Sequence, residues 1–82
     1  MKSCAEMFAE RIKELREEKN MSLRELAEAT GISKTALSYY ENCERDPSLT
    51  VVKTISDFFD EDINYMVGDS QERRKKNNKG SL

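Results

Sequence analysis

The order of helices in this chain follows from residues 23–42, LRELAEATGISKTALSYYEN. Ser22, just before this stretch, and Glu25 have the spacing of a capping box. In that motif the serine hydroxyl accepts a hydrogen bond from an orphan amide while the glutamate reaches back to the serine amide. A helix is therefore predicted over residues 23–30. Gly31 predicts its end, because glycine readily adopts the left-handed conformation that helix exits favour.

A second helix is predicted directly after this turn. Ser33 is a suitable N-cap residue, and the spacing of Leu37 and Tyr40 extends the helix to about Asn42. Only three residues separate the two helices, which forces a sharp angle between them rather than antiparallel packing. Ala27 is small, as it must be where the second helix crosses close above the first. Together these constraints describe a helix-turn-helix, whose second helix lies in the major groove of DNA.

The flanking sequence predicts three more helices, over residues 4–18, 49–59 and 63–67. The first of them is opened by a second capping box, formed by Ser3 and Glu6. The chain contains no strand pattern and no internal repeat. The predicted fold class is therefore all-α, a compact five-helix domain in which helices 2 and 3 form the helix-turn-helix.

Side-chain patterns assign these helices a core side and a solvated side. In the helix over residues 49–59, the apolar side is predicted to consist of Val52, Ile55, Phe58 and Phe59. Arg11 is expected on a solvated face of the first helix. The acidic run at residues 60–62 is expected at the surface, where it precedes the last helix and interacts favourably with its dipole. The domain is predicted to span residues 1–68, followed by a disordered basic tail over residues 69–82.

Charge is unevenly distributed along the chain. The 82 residues carry 14 basic and 16 acidic side chains, a net charge of −2, of which residues 1–70 contribute −6 and residues 71–82 contribute +4. DNA-binding domains are usually basic overall, so evidence for nucleic-acid binding must come from the placement of individual residues. The tail is expected either to add sequence-independent attraction to DNA or to act only as a solubilising end.

Several classes of protein are disfavoured by composition. No run of ~18 apolar residues is present, which argues against a membrane-spanning helix. The first residues lack the apolar stretch of a secretory signal, so a cytoplasmic location is expected. Cys4 and Cys43 are isolated and the chain has no histidine, so neither a metal site nor a cofactor is expected. An enzyme is not expected, because the sequence has no glycine-rich phosphate loop and no convincing nucleophile–base pair.

Residues 8–67 together resemble the Cro/CI-type repressor domains, also called the XRE family. Besides the helix-turn-helix, the resemblance includes RDPSL at residues 45–49 and INYMVG at residues 63–68. Both are close to segments usual in that family at the same distance from the turn. The resemblance implies a repressor-like, five-helix DNA-binding domain.

Two positions depart from the family pattern. Leu23 stands where the family commonly has a glutamine that contacts a phosphate, although the adjacent Arg24 is able to replace that contact. Cys43 stands where the family commonly has glycine. A cysteine in the left-handed conformation costs ~1–2 kcal/mol, unless Asn42 adopts that geometry instead.

The resemblance also implies which residues contact the bases. These are Lys34, Thr35, Ser38 and Tyr39. A lysine can donate to guanine O6 and N7, and a threonine methyl group can contact thymine. The alternative for Lys34 and Thr35 is an ordinary solvated helix start, and the alternative for Tyr39 is a packing tyrosine.

Further residues are expected to position the domain on DNA. Phosphate contacts are predicted from backbone amides at helix N-termini, which bind anions without net charge, and from Ser22, Arg24, Asn42 and Arg45. Arg16 and Glu41 resemble a pair that ties the first helix to the end of the base-reading helix in this family. Arginine suits such a position because its planar guanidinium meets a carboxylate bidentately. The alternative is two independent surface charges.

Two functions are compatible with these residues. The first is a sequence-specific, double-stranded DNA-binding transcription regulator, a repressor acting as a homodimer on a palindromic operator. The second is an antitoxin or anti-repressor type of protein-interaction module with a regulatory protein partner, which the net acidity and Leu23 favour. The dimer contact is expected at the last helix, where Tyr65, Met66 and Val67 are unusually apolar, unless these residues close the core.

Overall fold

The computed structural model describes residues 2–68, and five α-helices form its framework. They are α1 (Cys4–Glu18), α2 (Leu23–Thr30), α3 (Lys34–Glu41), α4 (Leu49–Phe59) and α5 (Ile63–Met66). No strand occurs within residues 2–68, and none of the helices in this part of the chain has the length and apolar character to span a bilayer. The predicted all-α, five-helix fold is confirmed. The predicted tail over residues 69–82 lies outside the described residues.

Serine hydroxyls begin four of the five helices. Ser3, Ser22, Ser33 and Ser48 each accept a hydrogen bond from an amide in the first turn of the helix that follows. Both predicted capping boxes are formed, and the Ser3 amide donates to Glu6 Oε1 at 2.7 Å. This backbone hydrogen bond lowers the pKa of Glu6. Local sequence alone therefore determines where these helices begin.

Three helices end in the same way, each with a non-glycine residue in the left-handed region. The residues are Asn20, Cys43 and Asp60, with φ angles of 54°, 59° and 57°. In each case the next amide donates to the carbonyl five residues earlier, over 2.8 to 3.0 Å, which defines a Schellman motif. Cys43, and not Asn42, therefore takes the strained geometry at the end of α3. Asn42 and Val67 are cap residues, so the predicted ends of α3 and α5 extend one residue too far.

One apolar core holds the helices together. Its fully enclosed side chains come from every helix and are Phe8, Ile12, Leu26, Leu37, Ile55 and Met66. Tyr65 is also buried, with 5% of its surface exposed. The expectation that Tyr65 and Met66 form a dimer contact is therefore wrong, because both are occupied in closing the core. Val67 is half-buried against the same cluster.

The buried side of α4 is rotated from the predicted one. Val52, Ile55 and Phe59 are buried as predicted, but Phe58 is 37% exposed and Ser56 is fully buried. At ~100° per residue, Ser56 lies on the Val52 edge of the stripe and Phe58 on the opposite edge. The buried hydroxyl of Ser56 donates to the Val52 carbonyl at 2.7 Å, so its polar group is satisfied within the helix.

Two charged residues predicted at the surface are buried instead. Arg11 is 9% exposed because its guanidinium lies 4.1 Å from the centroid of the Tyr65 ring and its Nε donates to the Tyr65 carbonyl. Glu61 is 2% exposed, since the Schellman turn after α4 directs it inward. Its neighbour Asp62 instead caps α5 by accepting from the Asn64 amide.

Candidate nucleic-acid interface

The second helix of the helix-turn-helix divides cleanly into an inner and an outer side. Its buried residues are Leu37, Tyr40 and Glu41. At ~100° per residue, Thr35, Ser38 and Tyr39 lie on the opposite side of the helix, whereas Lys34 lies ~20° from Glu41, at the edge of the buried side. Lys34 is nevertheless exposed in the first turn of α3. The four predicted base-reading residues, Lys34, Thr35, Ser38 and Tyr39, therefore all lie outside the buried stripe of α3.

Exposure differs among these four residues. Lys34 and Thr35 are exposed in the first turn of α3, whereas Ser38 and Tyr39 are half-buried in the second. Ser38 Oγ accepts a hydrogen bond from Asn42 Nδ2 at 3.4 Å. The first turn therefore offers free donors and a methyl group to a partner, while the second turn offers groups that already have neighbours within the chain.

The orientation of α3 is fixed by an ion pair with α1. Arg16 Nε and Nη2 donate to the two oxygens of Glu41 at 2.9 and 3.1 Å, and Arg16 Nη1 donates to the Met21 carbonyl at 2.8 Å. The side chains of Arg16 and Glu41 are 17% and 5% exposed. The hydrogen bonds with Glu41 raise the pKa of Arg16. These contacts join α1, the turn after it and the end of α3.

The turn between α2 and α3 has the geometry that the sequence requires. Gly31 adopts a left-handed conformation with a φ of 80°, and its amide donates to the Ala27 carbonyl at 2.9 Å. Ala27 is partly buried against the core. Thr30 Oγ1 accepts from the Ile32 amide, which links the turn back to α2. The three-residue connection is therefore held by hydrogen bonds at both ends.

The predicted phosphate-binding residues fall into two groups along the chain. Ser22 and Arg24 lie at the start of α2, where Ser22 Oγ already accepts from the Glu25 amide at 3.0 Å. Arg24 is solvent-exposed, with its Nε 3.7 Å from a carboxylate oxygen of Glu28. Leu23 between them is half-buried and packs against the core, so it presents no polar group at this position.

The second group follows α3. Asn42 and Arg45 are both exposed, and the Arg45 guanidinium carbon lies 4.6 Å from the centroid of the Tyr39 ring. This contact between a predicted phosphate-binding residue and a predicted base-reading residue was missed in the sequence. The signal available there was Cys43, since a left-handed residue at that position folds the following chain back toward the end of α3.

The arrangement of these side chains is that of a binding surface. Within residues 2–68 no three residues among cysteine, aspartate and glutamate come together in a group able to hold a metal ion. What the surface offers is a helix whose first turn is exposed, with hydrogen-bond donors, and cationic side chains at residues 24, 34 and 45. A helix of this kind is suited to insertion into a groove between phosphates.

The fold and this surface define a helix-turn-helix domain. A family model described as helix-turn-helix, HTH_3, matches residues 12–66. The chain belongs to this family. The ion pair between Arg16 and Glu41 and the turn at Gly31 fall inside the matched segment.

Relatives with assigned names are transcription regulators. The chain is 34% identical over 68 residues to the HTH-type transcriptional regulator AnsR of Bacillus subtilis (strain 168), covering 83% of this chain and 59% of AnsR. It is 36% identical over 67 residues to the HTH-type transcriptional regulator SinR of Bacillus licheniformis, covering 80% of this chain and 60% of SinR. It is also 31% identical over 65 residues to the cryptic phage CTXphi transcriptional repressor RstR of Vibrio cholerae, covering 79% of this chain and 59% of RstR. The chain thus spans about three fifths of the length of these relatives.

A solved structure shares the fold. The crystal structure of an HTH_3 family transcriptional regulator from Vibrio cholerae aligns with a TM-score of 0.70 at 24% identity, covering 89% of this chain and 44% of that chain. The likeness extends over nearly all of the five-helix domain and over less than half of the other protein.

Proposed function

We propose that this protein is a sequence-specific, double-stranded DNA-binding transcription regulator that acts in the cytoplasm as a repressor. In this proposal α3 enters the major groove, and the bases are contacted by Lys34, Thr35, Ser38 and Tyr39. The protein binds a palindromic operator as a homodimer, because one α3 covers few base pairs and two-fold symmetry doubles the site. The relative RstR is named a transcriptional repressor, which supports repression rather than activation.

The observation that carries the proposal is the outer side of α3. Lys34 and Thr35 are exposed at its start. They are not needed to pack the helix, because the buried residues Leu37 and Tyr40 do so. The packing of α3 thus leaves its first turn available for a partner. A lysine and a threonine in that turn are suited to guanine and thymine edges in the major groove.

The acidic composition of the domain is compatible with this role. Sequence-independent attraction to DNA comes from local contacts with phosphates, some of which are made by backbone amides at helix N-termini. The two groups of predicted phosphate contacts, at the start of α2 and after α3, lie at the two ends of the helix-turn-helix in the chain. The acidic residues of α1 are expected to face away from the DNA.

Selection from a random pool of DNA duplexes tests this function. The proposal predicts recovery of a defined sequence with two inverted half-sites whose centres lie ~34 Å apart, about one turn of DNA. The footprint of the bound protein should then cover both half-sites. Recovery of unrelated sequences at moderate salt would contradict the proposal.

A second candidate function is that of an antitoxin or anti-repressor type of module, which binds a regulatory protein and binds DNA only secondarily. The observation that favours it is Leu23, which packs against the core at a position where a polar side chain would reach a phosphate. The same selection distinguishes the two functions, because a protein-interaction module would enrich no preferred duplex.

A further inference from the structure

The chain after α3 returns to that helix through a closed turn. Cys43 adopts a φ of 59°, its amide donates to the Tyr40 carbonyl at 3.2 Å, and the next amide, of Glu44, donates to the Tyr39 carbonyl at 2.8 Å. The backbone is therefore hydrogen-bonded to Tyr39 one residue before Arg45. This turn brings the side chain of Arg45 back over the outer side of α3.

The Arg45 guanidinium lies over the ring of a residue of the proposed interface. Its guanidinium carbon is 4.6 Å from the centroid of the Tyr39 ring, inside the ~6 Å range of cation–π contacts. Within residues 2–68, Arg45 forms no ion pair with a carboxylate, whereas Arg24 lies beside Glu28. The aromatic ring of Tyr39 is thus the group that the exposed Arg45 guanidinium contacts.

A stacked arginine is able to serve two contacts at once. The flat face of the guanidinium lies on the ring, while the N–H groups around its edge stay free to donate to a phosphate. A phosphate bound at that edge would hold Arg45, and Arg45 would in turn hold the ring of Tyr39. Lysine carries the same charge but has no planar face, so it would keep the phosphate contact while holding the ring less firmly.

We propose that Arg45 is a positioning residue for Tyr39, so that it determines base preference as well as overall affinity. The inference rests on the proposed function, since it needs a preferred duplex to act on. It differs from the simple expectation for a phosphate contact, which lowers affinity for all duplexes alike. Here the loss of Arg45 frees the Tyr39 ring, and the preference that Tyr39 provides is reduced with it.

The experiment compares Arg45→Lys with the wild type on the selected duplex and on a shuffled duplex of equal length. We expect affinity for the shuffled duplex to stay within ~2-fold, because the charge is kept, while preference for the selected duplex falls ~3-fold, because lysine loses the planar contact and keeps part of the cation–π attraction. Arg24→Lys is the matched control, an exposed arginine without a ring partner, and should change both affinities by the same factor. Equal losses on the two duplexes for Arg45→Lys would overturn the proposal and leave the proposed function intact.

Two further variants separate positioning from general disruption. In a Tyr39→Ala background, Arg45→Lys should cause no additional loss of preference, whereas in a Tyr39→Phe background, which keeps the ring, the loss should persist. Nuclear magnetic resonance of the free protein should show ring-current shifts of the Arg45 side-chain protons that disappear in Tyr39→Ala. Additive losses of preference, or Arg45 shifts that do not depend on the ring, would contradict the positioning role. A wild type with no preferred duplex would instead remove the proposed function, and this inference with it.

Discussion

Single residues at helix ends determine how the chain turns in this domain. Asn20, Cys43 and Asp60 occupy equivalent positions in three Schellman motifs, and each has a positive φ near 57°. Asparagine and aspartate visit the left-handed region more readily than other non-glycine residues, because their short polar side chains can hydrogen-bond locally. Cysteine has no such compensation. Cys43 is thus the position where the backbone conformation and the residue type agree least.

Replacement of Cys43 by glycine is therefore expected to stabilise the protein. The left-handed conformation costs a non-glycine residue ~1–2 kcal/mol, and glycine removes this strain from the folded state. Glycine also gives the unfolded chain more freedom, which lowers stability by ~0.4–1 kcal/mol. Cys43→Gly should thus raise the free energy of unfolding by ~0.5–1 kcal/mol. Urea denaturation followed by circular dichroism measures the change.

Asn20→Gly is the matched control for this prediction, since it alters the same position of the same motif at the end of α1. Asparagine already tolerates the left-handed region, so the gain there should be smaller than at Cys43. Equal gains at the two positions, or a loss of stability in Cys43→Gly, would show that strain at Cys43 is not significant.

Helix boundaries were predictable from the sequence to within one residue, because they are set by local chemistry. Serine caps with a glutamate in the first turn, and Gly31 at a helix exit, act through hydrogen bonds between neighbours in the chain. The burial of Arg11 was not predictable in this way, because it depends on Tyr65, 54 residues further along the chain. The same holds for the exposure of Phe58, which reflects how α4 is rotated against the other helices.

The interface likewise has a part that the sequence predicts and a part that it does not. The outer side of α3 follows from helical periodicity, so Lys34 and Thr35 were recognisable from the sequence together with the family resemblance. The stacking of Arg45 on Tyr39 depends on the path of the turn at Cys43, which the sequence signals only as a departure from glycine. Neither periodicity nor resemblance indicates such a contact.

At the scale of helices, the contact between Arg16 and Glu41 is expected to support α3. Arg16→Ala would leave the Glu41 carboxylate, whose side chain is 5% exposed, without the two hydrogen bonds it now accepts from Arg16. Removing one partner of a partly buried charge pair costs on the order of 1–3 kcal/mol. Thermal and urea denaturation should show this loss, together with weaker binding to the selected duplex.

Arg24→Ala provides the control, because the side chains of Arg24 and Glu28 are 81% and 71% exposed and lie 3.7 Å apart. Exposed pairs of this kind contribute ~0–1 kcal/mol, so its stability should change little. A loss in Arg16→Ala no larger than in Arg24→Ala would show that the contact does not support the helix.

For the whole molecule, the proposed homodimer needs a contact other than Tyr65 and Met66, because both are enclosed in the core. Among the described residues, the large apolar side chains left exposed are Leu49, at 76%, and Phe58, at 37%. Leu49 lies at the start of α4 beside a groove lined by apolar residues that include Phe8, Val52 and Val67. We propose that this surface meets a second copy of the chain on the operator.

Leu49→Asp tests the dimer surface with little risk to the fold, since an acidic residue in the first turn of α4 is favoured by the helix dipole. Sedimentation with DNA should show two wild-type copies per duplex and a weakened second binding step for Leu49→Asp. Thr50→Asp, at the exposed neighbouring position, should behave as the wild type. One wild-type copy per duplex would contradict the dimer, and equal effects of both variants would contradict this surface.

The central claim is that the outer side of α3 recognises DNA sequence. Its most direct test is the ratio of affinities for the selected and the shuffled duplex, measured at fixed salt for the wild type and for Lys34→Ala/Thr35→Ala. Each lost base contact should cost ~1–3 kcal/mol on the selected duplex and much less on the shuffled one. Since both side chains are exposed, the melting temperature should be nearly unchanged. The account predicts that the ratio falls ~30-fold or more in the double variant, from two lost base contacts; an unchanged ratio would contradict it.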